Sequence, residues 1–206
     1  MNGHKFEYKC AKMLRRKGFH HVEVTKKSGD QGVDIIAYRY LSAWAKEYDA
    51  DFYRLLSADP DKAIAILRIG RGVPKPRKDI AVWSEMKRYM AFFYDELFVR
   101  EDAMPERVSP EDRAAILERY PSIYSPDDDG TVWFAKVKEL AASLGYAPET
   151  KLYKKNPGDY KGHVGDVAGV LRVALTGRTN SPDLCEVCRI LGQDKVIERL
   201  NGARGL

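Results

Sequence analysis

The feature that most constrains the fold of this 206-residue chain is a succession of apolar stripes at helical spacing, from about residue 43 to the C-terminus. Trp83, Met86, Met90, Phe93, Tyr94 and Leu97 recur every three or four residues, with Asp79 placed to cap that stretch. Trp133, Val137, Leu140, Ala141 and Leu144 form a second stripe, stopped by Gly145. Val164, Val167, Leu171, Ala174 and Leu175 form a third, stopped by Gly177. Leu184, Val187, Cys188 and Leu191 follow with Gly192 as their stop, and a last short helix is predicted around Val196, Ile197 and Leu200. Helix starts are legible too. Ser109, Pro110, Glu111 and Asp112 read as N-cap, first-turn proline and acidic first turn, and Ser181-Pro182 has the same opening. The fold class implied is mainly α.

The first forty residues follow another pattern. Phe6, Cys10, Met13 and Leu14 suit a short amphipathic helix ended by Gly18. HVEVT (21–25) and VDIIAY (33–38) are rich in β-branched residues and flank KKSGDQG, so a small α-β-β segment is predicted there. The run SPDDDG at 125–130 predicts a boundary inside the helical part. The expected division is therefore 1–40, 43–124 and 125–206.

Charge narrows the function classes. The net charge is +5, and residues 1–40 hold all of it, with nine Lys or Arg against four Asp or Glu. The remainder balances, but 68–88 has seven basic residues against two acidic ones, whereas 95–129 has eleven acidic against four basic. A nucleic-acid surface there has to be local and not a global field. No apolar run is long enough to span a bilayer and the start lacks a signal-peptide core, so no membrane association and a cytoplasmic location are expected. Three cysteines are read as reduced thiols. Cys185 and Cys188 have the spacing of half a zinc site, but no second half occurs, so no metal and no cofactor are expected.

Residues 172–184, RVALTGRTNSPDL, carry the most specific motif. With AWAKEYD (43–49), 75–98, 128–146 and 162–200, they make the chain resemble the C-terminal part of bacterial glutamyl-tRNA synthetases. The resemblance implies a two-part helical bundle of the class I synthetase anticodon-binding type, with tRNA, and tRNA-Glu in particular, as partner. It implies base contacts at the start of the SPDL helix, making Ser181, Pro182 and Leu184 candidates for reading the third anticodon base. Arg172, Thr176 and Arg178 match the same motif and are assigned to positioning the loop or RNA backbone. Lys75, Arg77 and Lys78 are phosphate candidates from charge alone. Structural alternatives stand beside each: helix capping for Ser181-Pro182, an ion pair of Arg172 with Asp166 or Glu186, a solvated loop for the lysine cluster. Tyr153, Tyr160 and the lysines between them could stack and bind phosphate, or the tyrosines could pack over the helices. The HIGH-like and KMSKS-like motifs of a class I active site are absent from the sequence, as is a glycine-rich phosphate loop, so aminoacylation by this chain alone is not expected.

Residues 3–38 resemble the opening of Mrr-type restriction endonuclease domains. Phe6-Glu7, Gly18 and the GDQGVD turn (29–34) carry the match, which implies a metal-binding role for Asp34. The Gln/Glu-x-Lys strand that would complete the site does not follow. Glu85-Met86-Lys87 has the spacing but lies within the helical text and is read as coincidence. Mg²⁺ enters only under a nuclease reading. The two resemblances meet near 39–43 without an obvious linker, as at a recombination or assembly junction or in a degenerate remnant. The reading adopted is a tRNA anticodon-binding module, not catalytic by itself. The alternatives are an Mg²⁺-dependent endonuclease fused to a tRNA-binding domain, and a nonfunctional fusion fragment.

Overall fold

The computed structural model describes residues 31–70 and 82–205. Among them are ten α-helices, several 3₁₀ turns and no strand. The chain divides into two compact units, Met1–Trp83 and Ser84–Leu206.

In the first unit, α1 (Gln31–Tyr48), α2 (Ala50–Ala58) and α3 (Pro60–Arg68) pack on one another. Asp49 and Asp59 stand between successive helices, and each side chain accepts from the amide of the third residue of the next, Phe52 N at 3.0 Å and Lys62 N at 2.9 Å. Leu41, Ala45, Phe52, Leu56, Ala63 and Ile66 are completely buried. The Tyr38 hydroxyl donates to Leu56 O at 3.2 Å.

The expected strand at 33–38 is instead part of α1. Tyr38, Leu41 and Ala45 continue at intervals of three and four, so extending the helix gives one face to bury. That periodicity overrides the β-branched preference of Val33, Ile35 and Ile36. The helix expected at 4–17 and the strand at 21–25 lie outside the described residues, as do Lys75, Arg77, Lys78 and Asp79.

The second unit holds α4 (Met86–Met90), α5 (Pro110–Ile123), α6 (Gly130–Ser143), α7 (Thr150–Lys155), α8 (Val164–Thr176), α9 (Leu184–Leu191) and α10 (Gln193–Asn201). The long helix expected across 79–97 is broken up. After α4 come 3₁₀ turns at Ala91–Phe93 and Asp95–Leu97, with Tyr94 extended between them. Met90, Ala91, Phe92, Phe93 and Tyr94 are all buried in succession. A single-faced helix cannot bury five consecutive side chains, so the backbone turns to seat them.

Helix α8 is the axis of this unit and packs against α5, α6 and α10. Val167, Val170, Leu171, Val173, Ala174 and Leu175 are buried. Its start is fixed by a reciprocal cap, in which Gly165 N donates to His163 Nδ1 at 2.9 Å and His163 N donates to Asp166 Oδ2 at 2.8 Å. Trp133 Nε1 on α6 donates to Tyr120 Oη on α5 at 2.7 Å, and Tyr120 Oη lies 3.8 Å from Cys188 Sγ on α9. One buried polar line thus joins three helices. Burial drives the Tyr120 hydroxyl far above its ordinary pKa, so it remains a neutral donor and acceptor.

Candidate nucleic-acid interface

The segment between α8 and α9 is held from both sides. Helix α8 ends at Gly177, whose φ of 71° lies in the left-handed region. Gly177 O accepts from both Glu101 N and Asp102 N at 2.9 Å. Asp102 Oδ2 in turn accepts from Thr179 N at 2.6 Å and Thr179 Oγ1 at 2.7 Å. Segment 99–102 and the start of the loop are therefore fastened at four points.

Arg172 fastens the other end from within α8. Its Nη1 donates to Ser181 O at 3.2 Å, to Ser181 Oγ and to Pro182 O at 3.1 Å. These three bonds tie the Arg172 guanidinium to the Ser181–Pro182 segment. Thr176 Oγ1 donates to Arg172 O at 2.8 Å and accepts from Arg178 N at 3.3 Å. Arg178 Nη1 donates to Arg88 O at 2.7 Å and Nη2 to Glu101 Oε1 at 2.6 Å, with its guanidinium 5.8 Å from the Phe92 ring centre. The structure thus gathers Arg172, Thr176, Arg178, Ser181, Pro182 and Leu184 into one loop and its two helix ends.

Their exposure divides them. Ser181, Pro182 and Leu184 are buried, Thr176 likewise, and Arg172 and Arg178 are partly covered. Ser181 does not cap α9. Asp183 does, accepting from Glu186 N at 3.0 Å. Pro182 consequently precedes the helix instead of opening it, because Arg172 draws the Ser181 and Pro182 carbonyls inward. The groups turned to solvent are Thr179, Asn180 and Asp183, which the reading of the sequence did not single out. A signal existed for Asp183: an aspartate three residues before Glu186 at the head of an apolar stripe has the form of a capping box.

The rim of the loop carries paired charges, Arg88 and Arg178 against Glu101 and Asp102. Glu101 accepts from both Arg88 Nη2 at 2.8 Å and Arg178, and the Arg88 bond, opposed by partial burial and joined by Arg178, holds its carboxyl below the usual range. The Glu101 carboxylate is therefore ionised at neutral pH, set between two guanidinium groups.

Elsewhere in this unit, Lys151, Lys154 and Lys155 are exposed on α7, and Tyr153 is half-buried with its ring edge-on to His163 at 5.5 Å. Cys185 and Cys188 are both buried, and burial raises both thiols, Cys188 to about 12. Among the described residues, no group of three or more His, Cys, Asp or Glu is placed to hold a metal ion. Asp34 falls on α1, and Lys87 of the Glu-x-Lys triplet falls on α4. No described helix is long and apolar enough to cross a membrane.

Helices α8 to α10 and the loop they carry decide the relationship. Residues 159–204 match the anticodon binding domain family. Residues 1–47 match a restriction endonuclease family. Over 163 residues the chain is 44% identical to a glutamate–tRNA ligase of Acetivibrio thermocellus, covering 79% of this chain and 30% of the relative. A glutamate–tRNA ligase of Clostridium perfringens strain 13 is 41% identical, with coverage of 80% and 31%. One from Clostridium beijerinckii is 38% identical over 96% of this chain and 37% of its own length. The chain spans about a third of the length of the curated relatives it matches. The chain resembles the anticodon-binding, C-terminal part of glutamate–tRNA ligases. The C. beijerinckii alignment leaves room for only a few unaligned residues, so it runs into the segment that the restriction endonuclease family also matches.

Proposed function

We propose that this chain binds the anticodon loop of a tRNA, with tRNA-Glu as the fitting partner, and does so without charging it. The observation that carries this reading is the loop 178–183, clamped by Arg172 on one side and Asp102 on the other, within the segment matched to anticodon binding domains. Unstacked loop bases present hydrogen-bonding edges that duplex RNA hides, and a rigid loop of polar groups suits them because little ordering is required on binding. Asn180 and Asp183 place an amide and a carboxylate at the solvent-facing turn.

In this reading Ser181, Pro182 and Leu184 form the seat for the third anticodon base by fixing the backbone there, with Arg172, Thr176 and Arg178 positioning that backbone. Lys75, Arg77 and Lys78 are proposed phosphate contacts on charge alone. Binding needs no cofactor, and the cytoplasm is the proposed location. The test is a gel shift of the purified chain with tRNA-Glu and its anticodon variants, with and without Mg²⁺. Saturable binding weakened by Asn180→Ala and by changing the third anticodon base is expected. Equal binding to every tRNA would remove the proposal.

A second reading rests on the restriction endonuclease match of residues 1–47. There Asp34 would hold Mg²⁺ for phosphodiester hydrolysis by water, the RNA being delivered by the helical part. Mg²⁺-dependent cleavage abolished by Asp34→Ala is its expected outcome. Cleavage that persists in that variant would dismiss it.

A further inference from the structure

Beside the loop lies an open groove of about 330 Å³ within the second unit. Ala91, Leu97 and Val99 give it an apolar lining, and Lys87, Arg88 and Arg178 supply cationic groups. Val99 is 64% exposed, so its side chain is open to a partner from solvent. Arg178 belongs to the groove and to the clamped loop at once, so the two surfaces are continuous. Glu101 stands at the same place and receives one arginine on each oxygen, Arg88 on Oε2 and Arg178 on Oε1.

We propose that this groove seats one unstacked nucleotide of a single-stranded RNA loop, its base against Val99 and Leu97, and that Glu101 selects a base bearing an exocyclic amino group. This deepens the anticodon-loop reading and rests on it. Five features support the assignment. Leu97 and Val99 give a base of any identity an apolar surface to pack against. Lys87 and Arg88 lie within reach of the attached phosphate and complement its charge. A carboxylate oxygen has more than one lone pair, so each Glu101 oxygen can accept from an amino group while retaining its arginine. Such a carboxylate accepts from the amino group of cytosine or adenine and repels the carbonyl oxygen that uracil presents at the same place. Arg178 is already fixed by Arg88 O, Glu101 and the Phe92 ring, so seating the base does not have to order it.

The test is fluorescence anisotropy of the full chain with labelled RNA hairpins, in which each loop position is varied in turn among the four bases. The wild type is expected to prefer cytosine or adenine over uracil at one loop position. Val99→Glu, at an exposed side chain, is expected to weaken binding of the preferred hairpin by roughly tenfold. Glu101→Gln, checked for folding by its thermal melt, is expected to lose the preference, because an amide can donate to uracil as well as accept from cytosine. Binding weakened by Asn180→Ala but unchanged by Val99→Glu would overturn the groove assignment alone. A preference that survives Glu101→Gln would overturn the role of Glu101. No binding of any hairpin would overturn both the groove and the anticodon reading beneath it.

Discussion

Gly177→Ala is the substitution that presses hardest on the clamped loop. Gly177 has a φ of 71°, a left-handed conformation that costs a residue with a side chain roughly 1–2 kcal/mol. The added methyl would also stand 2.4 Å from Val99 O and 2.9 Å from Arg100 Cα. Both are backbone atoms, so no side chain can swing away to make room. Relief requires moving segment 99–102, which gives up the two 2.9 Å bonds from Glu101 N and Asp102 N to Gly177 O. Overpacking of this kind adds about 1–3 kcal/mol, so a total loss of about 2–5 kcal/mol is expected. In a unit of this size the melting temperature should fall by roughly 8 °C or more. Gly130→Ala is the control, since nothing lies within 4 Å of its would-be methyl and its φ is not positive. It should stay within about 0.5 kcal/mol of the wild type. The assay is guanidinium and thermal denaturation of the three proteins side by side. A Gly177→Ala variant as stable as the wild type would refute the close approach of the loop to segment 99–102.

Other outcomes follow from the same geometry. Tyr120→Phe removes the acceptor of the buried Trp133 Nε1 bond and should destabilise the unit by about 1–3 kcal/mol in chemical denaturation. Asp183→Ala deletes the cap of α9 and should cost about 1 kcal/mol, whereas Ser181→Asn, if Ser181 were the cap, would be harmless; here it should destabilise, because Ser181 is buried. Glu101 and Asp95 have carboxyls held below their ordinary range, Glu101 by Arg88 and then Arg178, Asp95 by Lys195 and then Arg199. Lowered carboxylates contribute stability above their unfolded pKa and lose it as pH falls through the folded one, so melting temperature should decline from about pH 4 downward. The Cys188 thiol, pushed up to about 12 by burial, should resist thiol reagents at mildly alkaline pH in the native protein and react once guanidinium unfolds it.

Much of the second unit was legible because local signals and tertiary need agree there. Ser109 caps α5 by accepting from Asp112 N at 3.1 Å, with Pro110 in the first turn, as its sequence reads. Gly145, Gly177 and Gly192 all follow helices with positive φ. Where the two diverge, packing prevails. At 33–38 the β-branched residues lie in α1, the helix that continues through buried Leu41 and Ala45, and across 86–97 five successive buried residues break the helix. The loop shows the same limit. Its motif was readable as a string, but which members face water depends on Arg172 pulling Ser181 and Pro182 inward from nine and ten residues away. Spacing alone does not reveal that bond, nor that Thr179, Asn180 and Asp183 are the exposed members of the loop.

The most direct test of the central claim is an equilibrium titration of the chain with fluorescent tRNA-Glu, repeated with a tRNA altered only in its anticodon and with the Asn180→Ala variant. The clamped-loop account predicts saturable binding to tRNA-Glu that weakens by roughly tenfold with the altered anticodon, about 1.4 kcal/mol, and weakens again in the variant. Equal affinity for both tRNAs, unchanged by Asn180→Ala, would contradict it.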